Sequence, residues 1–262
     1  MHAPQYQETL FSHLFPGSTA SLSAYIPIFR ELNLFLKLST LQKQRTILRS
    51  DSGFGSDHNL DYALDEDWQV LSKGYAARRT NSIARKAANA DWLELSRDRW
   101  VTLAPQAPTY IRPVQYLLLR WRTEKGDLKH ATVICSVLEW SWSQIIEHYD
   151  DRGACETEIQ ADKAGLKICK RRKRQLAAQE SLILLSDLAH NILAWTKQWM
   201  QMPGEFTTYG TTRTTEDVLA VPGRLKFDEH DRLEEVQLNH LYPHVDQIAE
   251  GLRKLLDHFG NP

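Results

Sequence analysis

The sequence predicts a mixed α/β protein. Three observations carry that reading: apolar stripes at helical spacing in residues 20–38 and 179–200, β-rich runs at 46–49 and between 114 and 137, and the turn signal Glu124-Lys125-Gly126-Asp127 joining two of those runs. The chain has 262 residues, 42% hydrophobic and 25% charged, the profile of a soluble globular protein with enough length for a sizeable core.

Tyr25, Ile28, Phe29, Leu32, Phe35 and Leu36 share one face of a helix over 20–38, and Pro27 is read as an early-turn proline. Thr46 to Arg49 then reads as a short strand stopped by Ser50-Asp51-Ser52-Gly53. A helix, a strand and an acid at the strand's C-terminal edge form the kind of arrangement where open sheets place ligands. Residues 58–100, acidic and then basic through Arg78, Arg79, Arg85 and Lys86, read as helix and loop. Val114–Arg122 and Ala131–Val137 form a hairpin. Ser141, with Gln144 three residues on, opens a helix through a capping box. A long helix spans Gln179 to Met200, apolar at Leu182, Leu185, Leu188, Ala189, Ile192, Trp195 and Trp199, and Pro203-Gly204 ends it. A Gly/Thr-rich loop over 204–217, a short strand near Val221–Phe227 and a helix near Val245–Phe259 complete the order.

The longest apolar stretch, Ser181 to Trp199, is broken by Asp187, His190 and Asn191, so no membrane span is expected. Met1-His2-Ala3-Pro4 has neither a basic start nor an apolar run and gives no secretory signal. Cys135, Cys155 and Cys169 are odd in number and form no CxxC pair, which speaks against a disulfide scaffold or zinc cluster and for a reducing, cytoplasmic setting. Net charge is −1, yet Lys163, Lys167, Lys170, Arg171, Arg172, Lys173 and Arg174 crowd together with no acid among them. Such a run is either a solvated face or a contact for nucleic acid.

The chemistry-bearing segment is Tyr149 to Lys163, with the pattern Y-x2-R-x3-E-x6-K. On one continuous helix Tyr149, Arg152, Glu156 and Lys163 would project within a sector of roughly 60°. A guanidinium, an ammonium and a phenol suit a phosphodiester, and a carboxylate among them makes sense as a Mg²⁺ ligand. The bland alternative is ordinary i,i+4 pairing of Arg152 with Glu156 on a surface helix.

The pattern resembles the YREK signature of the DDE transposases of bacterial insertion sequences, whose catalytic core is ribonuclease H-like. Other blocks fall in the family's order. Leu48-Arg49-Ser50-Asp51-Ser52-Gly53-Phe54-Gly55 resembles the strand end that carries the second catalytic aspartate, and Leu14 to Thr19 the strand and loop before the preceding helix. Gln179 to Trp195, with Leu188-Ala189-His190-Asn191 inside it, resembles the long helix after the glutamate, and Val221-Pro222-Gly223-Arg224-Leu225 the tail motif.

The resemblance implies an incomplete ribonuclease H-like core without its first strand, split as 1–57 and 141–203, a β-rich insertion at 58–140, and a C-terminal tail at 204–262. It implies Asp51 and Glu156 as catalytic, metal-binding carboxylates for Mg²⁺ (Mn²⁺ as substitute), with Tyr149, Arg152 and Lys163 holding DNA. The implied partners are transposon ends, target DNA and a second copy of the chain on that DNA, in the nucleoid, with no membrane. An aromatic of the insertion, which contains Trp92, Trp100, Trp121, Trp140 and Trp142, would stack on a flipped base.

One requirement fails. The mechanism uses three carboxylates, and residues 1–50 contain no aspartate, only Glu8 and Glu31. The expectation is an N-terminally truncated transposase that does not cleave or join DNA alone. The alternative is a non-catalytic remnant that binds DNA or dimerises and modulates full-length transposase.

Overall fold

The computed structural model describes residues 1–87, 91–167 and 174–259, with the side chains of Arg152, Ala154, Cys155 and Glu158 outside that description. In order, the chain forms β1 (His2–Ala3), β2 (Glu8–Thr9), α1 (Ser21–Leu36), α2 (Thr40–Gln44) and β3 (Ile47–Ser50). Next come α3 (Asp57–Asp65), β4 (Gln69–Lys73), α4 (Ala77–Lys86), β5 (Leu93–Ser96), β6 (Arg99–Leu103), β7 (Gln115–Arg122) and β8 (Leu128–Cys135). α5 (Trp142–Asp150), α6 (Arg152–Gly165) and α7 (Leu176–Met200) follow. A 3-10 turn, the one-turn α8 (Thr211–Arg213) and a π turn lead to β9 (Gly223–Phe227), β10 (Leu233–Leu238) and α9 (Val245–His258).

The chain folds as two compact units, Phe15–Arg152 and Met1–Leu14 with Gly153–Pro262. The first is α/β, built on a six-stranded mixed sheet in the order β3-β4-β8-β7-β6-β5. β3 runs parallel to β4, and the remaining pairs are antiparallel. β3 therefore pairs on one side only among the described residues. β7 reads Gln-Tyr-Leu-Leu-Leu-Arg-Trp-Arg, apolar on consecutive residues because both its faces are covered. Leu117 and Leu119 face α5 and join Leu71, Val101, Val133, Cys135, Ile145 and Ile146 in one core. Tyr116 and Leu118 alternate to the other face, where α4 lies against β7 and β8. α1 is seated by Phe29, which meets Trp68 and Tyr62 edge-on at 5.7 Å, while Trp68 Nε1 donates to Asn33 at 3.0 Å.

Three expectations change. Residues 58–100, expected as helix and loop, also contribute β4, β5 and β6. These strands are four or five residues long, and β5 and β6 join across a tight turn, so their period-2 signal is short. Leu14 to Thr19 forms no strand; the Thr19 N–H closes a turn on the Pro16 carbonyl at 2.8 Å. Pro27 lies in the second turn of α1 rather than its first.

The second unit holds the β1–β2 hairpin, the β9–β10 hairpin, α6, α7 and α9. Asn191 ties the N-terminal hairpin to α7 by imitating a strand neighbour: it accepts from Thr9 N and donates to Thr9 O, both at 2.8 Å. Trp195 Nε1 adds a bond to Glu8 at 2.7 Å. Met200, Phe206, Tyr209, Val218 and Ile248 form this unit's core. No described helix is long and apolar enough to cross a membrane.

Candidate functional site

Asp51 follows β3 directly, as the sequence predicts, and its Oδ1 accepts the Gly53 N–H at 2.8 Å in the turn that stops the strand. The parallel register pairs Ser50 with Ser72, whose hydroxyls bond at 2.8 Å. One residue further on each strand come Asp51 and Lys73. Ile47 packs into the core on the α5 side, and Arg49 donates to the His148 carbonyl of α5 at 2.6 Å.

Lys73 opens into a cavity of about 400 Å³ between α5 and the sheet, whose wall includes Arg99, Trp121, Tyr149 and Asp150. Tyr149, the first residue of the four-residue pattern, is half-buried there against the core. Arg99 forms a two-pronged ion pair with Asp150, one arm at 2.8 Å. Lys73 lies 5.8 Å from the centre of the Trp121 ring. It pairs with no acid among the described residues. An indole, a phenol, two cations and the carboxylates of Asp98 and Asp150 thus line one concavity at the end of the sheet where β3 delivers Asp51.

The other insertion tryptophans have different surroundings. Trp92 and Trp100 enclose Arg120, and Trp140 stacks on His148 with centroids 4.2 Å apart. Trp142 begins α5 and packs against the core.

The expected single helix carrying Tyr149, Arg152, Glu156 and Lys163 is in fact two. α5 ends at Asp150 with Asp151 as its cap, and α6 starts at Arg152. The break has a local cause: Asp150 and Asp151 place negative charge at a helix C-terminus, where the dipole opposes it, and Gly153 favours helix weakly. Tyr149 consequently sits on α5, while Glu156 and Lys163 sit on α6, both exposed. Seven residues apart, these two share a face about 10 Å from end to end. The Arg152 side chain lies outside the described residues, as do Lys170, Arg171, Arg172 and Lys173 of the basic run. Asp51 belongs to the first unit and Glu156 to the second. Among the described residues no three His, Cys, Asp or Glu side chains gather as a metal site.

Two residues not singled out from the sequence position α6. Asp162, beside Lys163, is buried and accepts from Thr211 at 2.7 Å and from His190 Nδ1 at 2.9 Å. His190 Nε2 meets the Gln7 carbonyl at 2.9 Å. This cluster fastens α6 to α7 and to the N-terminal segment. The available signal was polarity: Asp187, His190 and Asn191 interrupt an otherwise apolar helix.

No family model matches the chain, and no curated protein matches it.

Proposed function

We propose that the chain is a DNA-handling protein of the DDE transposase kind, with phosphodiester hydrolysis and strand transfer as its reaction class. The observation that carries this reading is the cavity where Tyr149 of the Y-x2-R-x3-E-x6-K pattern shares a wall with Trp121, Lys73 and Arg99. An indole stacks on an unpaired base of any identity, and the Lys73 ammonium beside it neutralises backbone charge. Trp121 is therefore the insertion tryptophan assigned to a flipped base.

Arg152 and Lys163 hold phosphates in this reading. Asp51 and Glu156 are each a hard carboxylate of the donor type Mg²⁺ or Mn²⁺ takes, and each would hold such an ion with water and substrate phosphates completing its shell. Such an ion would supply Lewis-acid activation of the attacking water or 3′-hydroxyl and charge stabilisation at the leaving oxygen. The α/β unit with its parallel β3–β4 pair and helices on both faces supports a ribonuclease H-like core.

A second reading is a non-catalytic protein that binds DNA, or pairs with a full-length transposase, and modulates it. One feature favours it: among the described residues β3 pairs on one side only within its sheet.

The two readings separate with purified protein and short duplex DNA. Binding that weakens as salt rises, without Mg²⁺-dependent cleavage, would favour the second reading. Robust cleavage abolished by Glu156→Gln would remove the non-catalytic reading, and absence of salt-sensitive binding would overturn both.

A further inference from the structure

The sheet face turned away from α5 carries a second cluster. Cross-strand pairing sets Trp100 of β6 beside Arg120 of β7, and Arg120 beside His130 of β8. The Arg120 guanidinium carbon lies 4.9 Å from the Trp100 ring centre and 4.0 Å from that of Trp92. The charged neighbours are accounted for. Arg122 pairs with Asp98 at 3.6 Å, and Glu94, in the same cross-strand row, is set off from Arg120 by Trp100. Among the described residues Arg120 has no acidic partner, and neither its Nε–H nor the buried indole N–H of Trp92 has a hydrogen-bond acceptor.

A half-buried cation without a counter-ion is costly, and an anion would remove that cost. The surroundings agree. Burial, then the neighbouring Arg122, lowers the proton affinity of Arg120; burial, then Arg120, does the same to His130. The shape of the site selects the anion. Both indoles lie within about 5 Å of the guanidinium carbon, and the paired N–H groups of a guanidinium match two oxygens of one tetrahedral oxyanion.

We infer that Arg120 and His130, framed by Trp92 and Trp100, form a binding site for a phosphate group, either free or in a nucleic-acid backbone. The site lies on the opposite side of the sheet from the Trp121 cavity and stands without the transposase reading.

The test uses the full chain and inorganic phosphate, with chloride at matched ionic strength as control. Phosphate should quench tryptophan fluorescence saturably and shift the His130 ring resonances. Arg120→Gln should weaken that response about tenfold, as loss of a charge-assisted pair does. His130→Gln leaves the tryptophan–arginine stack in place, so it keeps the test valid if Arg120→Gln perturbs folding; it should also weaken phosphate binding. Competition by a single-stranded oligothymidylate would identify the backbone as the source, and no competition would identify free phosphate. A response reproduced by chloride, or left unchanged in both variants, would overturn the site. Because it is read with phosphate alone, its failure is distinguishable from failure of DNA binding at Trp121.

Discussion

At Gly55 one methyl group is enough to disturb the strand ends that bear the site. A Cβ there would collide with the Lys73 backbone carbonyl, and the Gly55 carbonyl accepts from Tyr75 N at 3.0 Å, so the backbone has no room to retreat. Gly55→Ala should destabilise the chain by about 1–3 kcal/mol, read by denaturant unfolding. Asp57, two residues on, is held by Arg79 and Tyr110, the latter at 2.8 Å. Burial alone would raise its carboxyl, but hydrogen bonds from Arg79 and Tyr110 and the guanidinium charge outweigh that and hold it below the usual carboxylate value. A depressed acid contributes stability above its unfolded value, about 4, and loses it as pH falls through the lower folded value. Melting temperature should therefore drop on acidification below about 4, and Asp57→Asn should flatten that part of the profile. An unchanged acid limb in the variant would assign the loss elsewhere.

At the scale of elements, long amphipathic helices and the strong hairpin were legible because many residues repeat the same period. α1, α7, α9, β7 and β8 all lie where the residues place them. The Ser141 capping box is present, with Gln144 N donating to Ser141 Oγ and Ser141 N to Gln144 Oε1. Ser141→Ala should cost about 1 kcal/mol and loosen the helix that presents Tyr149. What was not legible depended on tertiary context. β4 reads Gln-Val-Leu-Ser-Lys, too short for its alternation to stand out, and becomes a strand because β3 and β8 flank it. The break between Tyr149 and Arg152 is local, and Gly153 signals in the sequence that a helix can begin anew around Arg152. Asp51 at a strand end was readable from its turn; the company of Tyr149 with Lys73, Arg99 and Trp121 was not, because four separate elements bring them together. The Asp162–His190–Thr211 cluster likewise joins residues distant in sequence. Asp162→Ala removes the acceptor shared by buried His190 and Thr211 and should destabilise the chain by about 1–3 kcal/mol.

For the molecule as a whole, an unpaired sheet edge and an apolar surface point to association. Among the described residues β3 has one strand neighbour, and Leu185, Leu188 and Ile192 of α7 are 61%, 50% and 48% exposed at spacings that keep them on one helix face. Leu185→Lys with Leu188→Lys should reduce self-association in sedimentation at a fixed concentration; unchanged sedimentation would dissociate that stripe from any dimer. The central claim, that the Trp121 cavity receives an unstacked base, is tested most directly with a single-stranded oligonucleotide bearing 2-aminopurine. Its fluorescence should be quenched on binding the native chain, and Trp121→Ala should relieve the quenching and weaken affinity about tenfold, while Trp140→Ala should do neither. Equal quenching and equal affinity in Trp121→Ala and the native chain would contradict the account.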